Sequence, residues 1–200
     1  MAIVCVLILG CSSGPPAPEA GPYEKQIQDG RTSKDAMFKT DAQESPIPVA
    51  ERATFTGLAY YPIDPAYRVP ALLKEDRSGP RLVIERQTST TVPRRMRRVG
   101  TLAFTFQAAP YTLLAFVDED ATDMDRLFVP FADLTSGHET YGGGRYIELD
   151  RTPTGFYDLD FNRAYHPYCL YSPTFECPVP PKENRLPVAI HAGEKLATPK

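Results

Sequence analysis

The residues able to do chemistry in this sequence are few, and most lie in its last third. Cys169 and Cys177 are eight positions apart, with His166 just before the first. A thiol becomes a nucleophile when a base takes its proton, so His166 and Cys169 form one candidate pair. A disulfide between the cysteines would consume that thiol. Zinc held by His166, Cys169 and Cys177 is a third reading, although the spacing is not that of a zinc knuckle or ribbon. His138-Glu139 lacks the second histidine four residues on that a zinc protease requires. Ser136 and Ser172 lack the glycine frame of a nucleophile elbow. Gly142-Gly143-Gly144 precedes a strand-like run rather than a helix, so it reads as a turn or bulge and not as a phosphate loop. Its glycines would also let backbone approach a ligand beside Arg145. Asp158 and Asp160 share one face of a strand and form a carboxylate pair suited to acid–base work. The alternative is that Asp160 and Asn162 cap the turn that follows. Asp118-Glu119-Asp120 with Asp123 and Asp125 lacks the glycine and terminal glutamate of a calcium loop and reads as a solvated hairpin tip. No pattern calls for a metal or a cofactor.

The elements that must position these residues are short. The chain carries 21 prolines and 13 glycines, which break helix interiors and sheet ladders. Residues 23–40 are polar with sparse apolar positions and read as one or two short helices interrupted near Gly30. Segments 54–63, 67–74, 81–90, 98–107, 112–117, 127–131, 144–149, 156–161 and 186–192 read as strands. In 98–107 the residues Leu102, Phe104 and Phe106 fall on one face, and 112–117 is continuously apolar, as expected of a strand buried on both sides. Arg94-Arg95-Met96-Arg97-Arg98 reads as a charged edge strand or a surface for anionic lipid or glycan. The expected fold is mainly β: an antiparallel sandwich or barrel-like domain with one or two short N-terminal helices.

The N-terminus reads as an address. Residues Ala2 to Leu9 are all apolar, far short of the about 20 a spanning helix needs, and they suit a signal-peptide core. No Lys or Arg precedes them. The stretch Leu7-Ile8-Leu9-Gly10-Cys11 resembles a lipobox, which implies cleavage before Cys11 and a lipid on its thiol. Ser12 is not the Asp of an inner-membrane retention signal. The domain plan is then a signal at 1–10, a lipidated Cys11 with a flexible Pro- and Ser-rich tether at 11–22, and one domain at 23–200. The expected location is the bacterial cell envelope, lipid-anchored at the outer membrane and facing the periplasm. Of the four cysteines, Cys169 and Cys177 remain for the mature domain, and an even pair in an exported chain reads as a disulfide. It would contribute about 2–3 kcal/mol on the chain-entropy model.

Composition is that of an ordinary folded domain, with 42% hydrophobic and 24% charged residues. The net charge of -3 argues against nucleic acid as a partner.

Several strings resemble a bacterial family of unknown function, DUF1684. They include Pro130-Phe131-Ala132-Asp133-Leu134-Thr135-Ser136-Gly137, Thr140 to Tyr146, Asp160 to Tyr165, Cys177-Pro178, Glu183-Asn184-Arg185-Leu186 and Ala192-Gly193-Glu194-Lys195. The earlier Phe55-Thr56-Gly57-Leu58 and Tyr60-Tyr61-Pro62 are similar too. His166 stands where such sequences usually carry Asn, so the resemblance implies no catalytic role for it. It implies a location: Asp133, Thr140, Tyr141, Arg145, Asp160, Asn162, Tyr165, Asn184, Arg185 and Glu194 are more polar side chains than a passive edge requires. They form either a buried polar network or a ligand pocket. The expected function is an envelope lipoprotein that binds a small ligand, glycan or partner protein through this block. The alternative is a hydrolase with Asp160 or Asp133 as base and Arg145 steadying an anionic intermediate.

Overall fold

The computed structural model describes residues 20–41, 43–76, 84–86, 94–175 and 177–198. The signal and lipidation readings, Cys11 among them, lie outside the described residues.

Helix α1 spans Ala20–Thr40 and α2 is the single turn Val49–Arg52. The sequence suggested a break near Gly30, but α1 runs through it for 21 residues. An interior glycine costs a helix about 1 kcal/mol relative to alanine. Burial of Tyr23, Ile27 and Phe38 along one face, at helical spacing, offsets that cost. The helix also starts three residues inside the segment read as tether.

Nine strands follow among the described residues: β1 Ala59–Tyr60, β2 Arg68–Glu75, β3 Ile84–Arg86, β4 Arg94–Phe106, β5 Ala109–Asp118, β6 Arg126–Phe131, β7 Arg145–Asp150, β8 Tyr157–Asp160 and β9 Glu194–Lys195. The sheet order is β7-β6-β5-β4-β2-β8, every neighbour antiparallel, with β3 added to the start of β4. A bridge between Arg151 and Tyr157 brings the β8 end back to β7, so the six strands form a nearly closed barrel. β1 and β9 make a separate two-stranded ribbon.

The long β4–β5 hairpin carries the barrel. Leu102, Phe104 and Phe106 alternate into its interior with Leu113, Ala115 and Val117. Leu114 and Phe116 face the other side and pack with Phe128 and Tyr146, so β5 is buried on both faces as its apolar run predicts. Its register slips between Arg98 and Gly100. A Cβ at Gly100 would sit 2.3 Å from the Lys74 carbonyl oxygen, so only glycine lets β2 approach at this bulge.

The arginine run at 94–98 is paired along its length, with β3 over 94–96 and with β5 over 96–98, so among the described residues both neighbours flank it only at Met96. Arg97 donates to the Ala121 carbonyl at 2.8 Å and Arg98 pairs with Asp76 at 3.0 Å. The strand expected at 186–192 is instead coil: it bends at Pro187 and Val188, where it bonds the backbone of Ala132 and Leu134, and its second half runs against Arg145.

Candidate functional site

Arg145 opens β7, after a turn in which Gly144 has φ +86°. A Cβ at Gly144 would meet the Phe131 oxygen and the Pro180 ring, both at 2.6 Å. The glycine triplet is therefore a tight turn with a positive φ. The Arg145 side chain is fully buried beside Phe131, its guanidinium 5.2 Å from the ring centre. It donates to Asp133 Oδ2 at 2.8 Å and to the carbonyls of Ile190 at 2.8 Å, Ala192 at 2.5 Å and Glu194 at 3.2 Å. Asp133 Oδ1 accepts from the amides of Thr135 and Ile190. Segment 190–194 thus gives the carbonyls of Ile190, Ala192 and Glu194 to a side-chain fork, while Gly193 and β9 bond the β1 side. Its alternating apolar residues do face the core, with Ile190 and Ala192 fully buried. At Ile190, Ala192 and Glu194 the Arg145–Asp133 pair supplies hydrogen bonds that a neighbouring strand would otherwise supply.

Asp160 is sealed in a second group. It accepts from Tyr23, from the amide and side chain of Asn162, and from Arg163 Nε at 3.2 Å. Asn162 also donates to the Asp64 carbonyl at 2.8 Å. Asp160 is therefore the cap of the short turn Phe161–Arg163 and the anchor of α1 through Tyr23. Burial, with the Asp160 charge adding to it, pushes the Tyr23 hydroxyl well above its ordinary pKa. Asp158 points to a different partner, Arg68. No acid–base pair forms, and neither Asp133 nor Asp160 faces open space, so the geometry does not favour the hydrolase reading.

Asn184 stands alone and fully buried. The strands β5 and β6 pair through Phe116 and Phe128 and then separate. The Asn184 amide fills the gap: its Oδ1 accepts from the Leu114 amide, and its Nδ2 donates to the carbonyls of Leu114 and Pro130. Arg185, its neighbour, is solvent-exposed. Thr140 is buried against Thr135, hydroxyl to hydroxyl at 2.9 Å. Tyr141 lies beside Cys169, and its amide donates to His166 Nε2 at 3.2 Å.

His166 is buried, which brings its pKa down to about 3. It is neutral in the folded protein, with Nε2 as acceptor and the proton on Nδ1. It has no thiol partner among its hydrogen bonds, so it is not the base of a Cys169 nucleophile. A pKa below the unfolded value means that the unfolded chain binds the extra proton, so stability falls as pH drops from about 6.5 towards 3. We expect His166→Asn, which has no titrating ring, to remove this component. Urea unfolding of both proteins should show the difference between them shifting in favour of the variant as pH falls through that window.

Cys169 and Cys177 are both thiols in this structure and sit together, with the Cys169 amide 3.1 Å from the Cys177 sulfur. Hydrogen bonds from Cys177 and Tyr141 outweigh burial and hold the Cys169 thiol at about 7. Among the described residues no three His, Cys, Asp or Glu side chains come together to hold a metal ion.

The open part of the polar block is a cleft of about 200 Å3 between α1 and the end of the barrel. Ile27, Gly30, Arg31 and Lys34 line it from the helix. Asn162, Arg163, Ala164 and Tyr165 line it from below, with Tyr60 and Glu194 at its sides. Glu194 is buried and holds Lys34 Nζ at 2.5 Å, the His166 amide at 2.8 Å and the Tyr171 hydroxyl at 3.3 Å. Lys34 also lies over the Tyr165 ring, 4.7 Å from its centre.

Of the ten residues expected at one site, Asn162, Tyr165 and Glu194 reach the cleft, while Asp133, Arg145, Thr140 and Asn184 do not. Sequence reasoning missed the helical wall. The signal was there: Tyr23, Ile27, Arg31, Lys34 and Phe38 recur at steps of three and four, so two cations share the buried face.

The fold and these sites define a nearly closed antiparallel barrel with a buried ion pair and a helix-covered cleft. The chain belongs to the DUF1684 family, described as protein of unknown function, whose model matches residues 53–195. It is similar to an uncharacterized protein from Haloarcula marismortui with a solution NMR structure. The two are 41% identical over 88% of this chain and 95% of that one, with a TM-score of 0.69. No curated protein matches the chain.

Proposed function

We propose that the protein is an envelope lipoprotein that binds a small ligand in the cleft between α1 and the C-terminal polar block. The observation that carries the ligand reading is the cleft itself, open beside a set of polar groups that are elsewhere sealed. Its volume lies below the about 300–1,000 Å3 of sites for drug-sized molecules, which favours a small metabolite over a glycan chain or a protein. Gly30 provides a test. It lines the cleft, and a Cβ there meets nothing within 4 Å. Gly30→Leu is expected to raise stability by about 1 kcal/mol through helix propensity and to fill the cleft. Small molecules that raise the melting temperature of the wild type should then fail to raise that of the variant. Hits that act equally on both would place the ligand elsewhere and contradict the reading.

What supports the location is the lipobox at Leu7 to Cys11, with Ser12 favouring the outer membrane. In that oxidising compartment Cys169 and Cys177 form a disulfide, for which a thiol near pKa 7 is well poised. Mass spectrometry of protein purified from its own host membranes checks both points. The expected N-terminus is Cys11 carrying a lipid, with Cys169 and Cys177 linked in one peptide pair; an unmodified Met1 with two alkylatable thiols would contradict both. No helix among the described residues is long and apolar enough to cross a membrane.

A further inference from the structure

We infer that the cleft takes a monoanionic carboxylate carrying a small apolar or aromatic body, an inference that rests on the cleft being the binding site. The charges at its walls carry the argument. Lys34 is neutralised by Glu194 and Arg163 by Asp160, at 2.5 and 3.2 Å. Arg31 has no carboxylate partner among the described residues. Its Nη1 donates to the Tyr61 carbonyl at 3.0 Å, and its guanidinium lies 4.5 Å from the centre of the Tyr60 ring. Its Nε and Nη2 are out of contact with solvent and have no hydrogen-bond partner among the described residues.

Nε and Nη2 form one edge of the guanidinium fork, and that edge matches the two oxygens of a carboxylate. A buried donor without an acceptor is costly, so a carboxylate arriving here satisfies two donors at once and balances the Arg31 charge. A phosphate monoester, at about -1.5 to -2, would leave excess negative charge. The rest of the cleft suits an apolar body: Ile27, Ala164, Tyr60 and Tyr165 supply aliphatic and aromatic wall. Because Nε and Nη2 are covered, entry requires a small movement of the Arg31 side chain towards the ligand.

Isothermal titration of the full chain with benzoate and hexanoate, each against its matching alcohol, reads the claim, with inorganic phosphate as the higher-charge comparison. The acids are expected to bind at least about tenfold more tightly than the alcohols, and more tightly than phosphate. Arg31→Met is expected to abolish that preference, and Arg31→Lys, which keeps the charge and loses the fork, to restore only part of it. The unfolding midpoints of both variants confirm that they are folded before titration. Equal binding of acid and alcohol by the wild type, or tighter binding of phosphate, overturns the carboxylate assignment and leaves the cleft as the site. No binding of any probe overturns both.

Discussion

Arg145→Met is expected to destabilise the protein by about 3–5 kcal/mol, the largest effect of any single substitution considered. The loss has two parts. Asp133 is left as a buried carboxylate with no cation, its side chain as inaccessible as that of Arg145. The carbonyls of Ile190, Ala192 and Glu194 lose the donors that replace a neighbouring strand. Segment 190–194 should then detach, taking with it β9 and the Glu194 wall of the cleft. Arg145→Lys keeps the charge but cannot reach three carbonyls and a carboxylate from one ammonium, so it is expected to be nearly as damaging. Urea denaturation measures the loss. A change under 1 kcal/mol for Arg145→Met would mean that the segment is held by its apolar contacts and its pairing with β1, without need of the Arg145 fork.

Asn184→Leu is the second large effect. Leucine has the same number and branching of side-chain heavy atoms and leaves no void, while its bulkier methyl groups add a packing cost to the polar loss. The Leu114 amide and carbonyl and the Pro130 carbonyl are left buried without the partners they have now. At about 1–3 kcal/mol for each unsatisfied group, the cost is at least about 3 kcal/mol. Asn184→Asp should be no better, because it sets a carboxylate oxygen against two carbonyls. Arg185→Ala, one residue on and exposed, should lie within about 0.5 kcal/mol of the wild type. Equal stability of Asn184→Leu and wild type would show that β5 and β6 need no bridge.

The periodic elements were legible in the sequence. The alternation of Leu102, Phe104 and Phe106 and the continuous apolar run of β5 point directly to a hairpin buried at the heart of a barrel-like sheet. Segment 186–192 misled because burial and hydrogen bonding separated there. Its residues alternate as in a strand, but past the bend at Pro187 and Val188 its partner is the Arg145 fork, and no sequence period distinguishes the two. Gly30 misled in the opposite sense: helix propensity is local, and the buried face of α1 overrides it. Among the candidate residues, Asp160 and Asn162 were legible as a turn cap. The sealing of Asp133 by Arg145 was not, because it depends on which backbone carbonyls the fold brings to the guanidinium. The helical wall of the cleft lies more than a hundred residues before the polar block, and only the tertiary fold unites them.

The most direct test of the account is the two-dimensional amide NMR spectrum of the full chain, titrated with small carboxylates and their neutral analogues. The polar block is held to do two separate jobs: a sealed pin at Asp133 and Arg145, and an open site under α1. Ligand-dependent shifts are predicted at Gly30, Lys34, Tyr60 and Tyr165, with Asp133, Arg145 and Ile190 unmoved. Shifts centred on Asp133, Arg145 and Ile190 would contradict that division and return the ion pair to the position of a binding site.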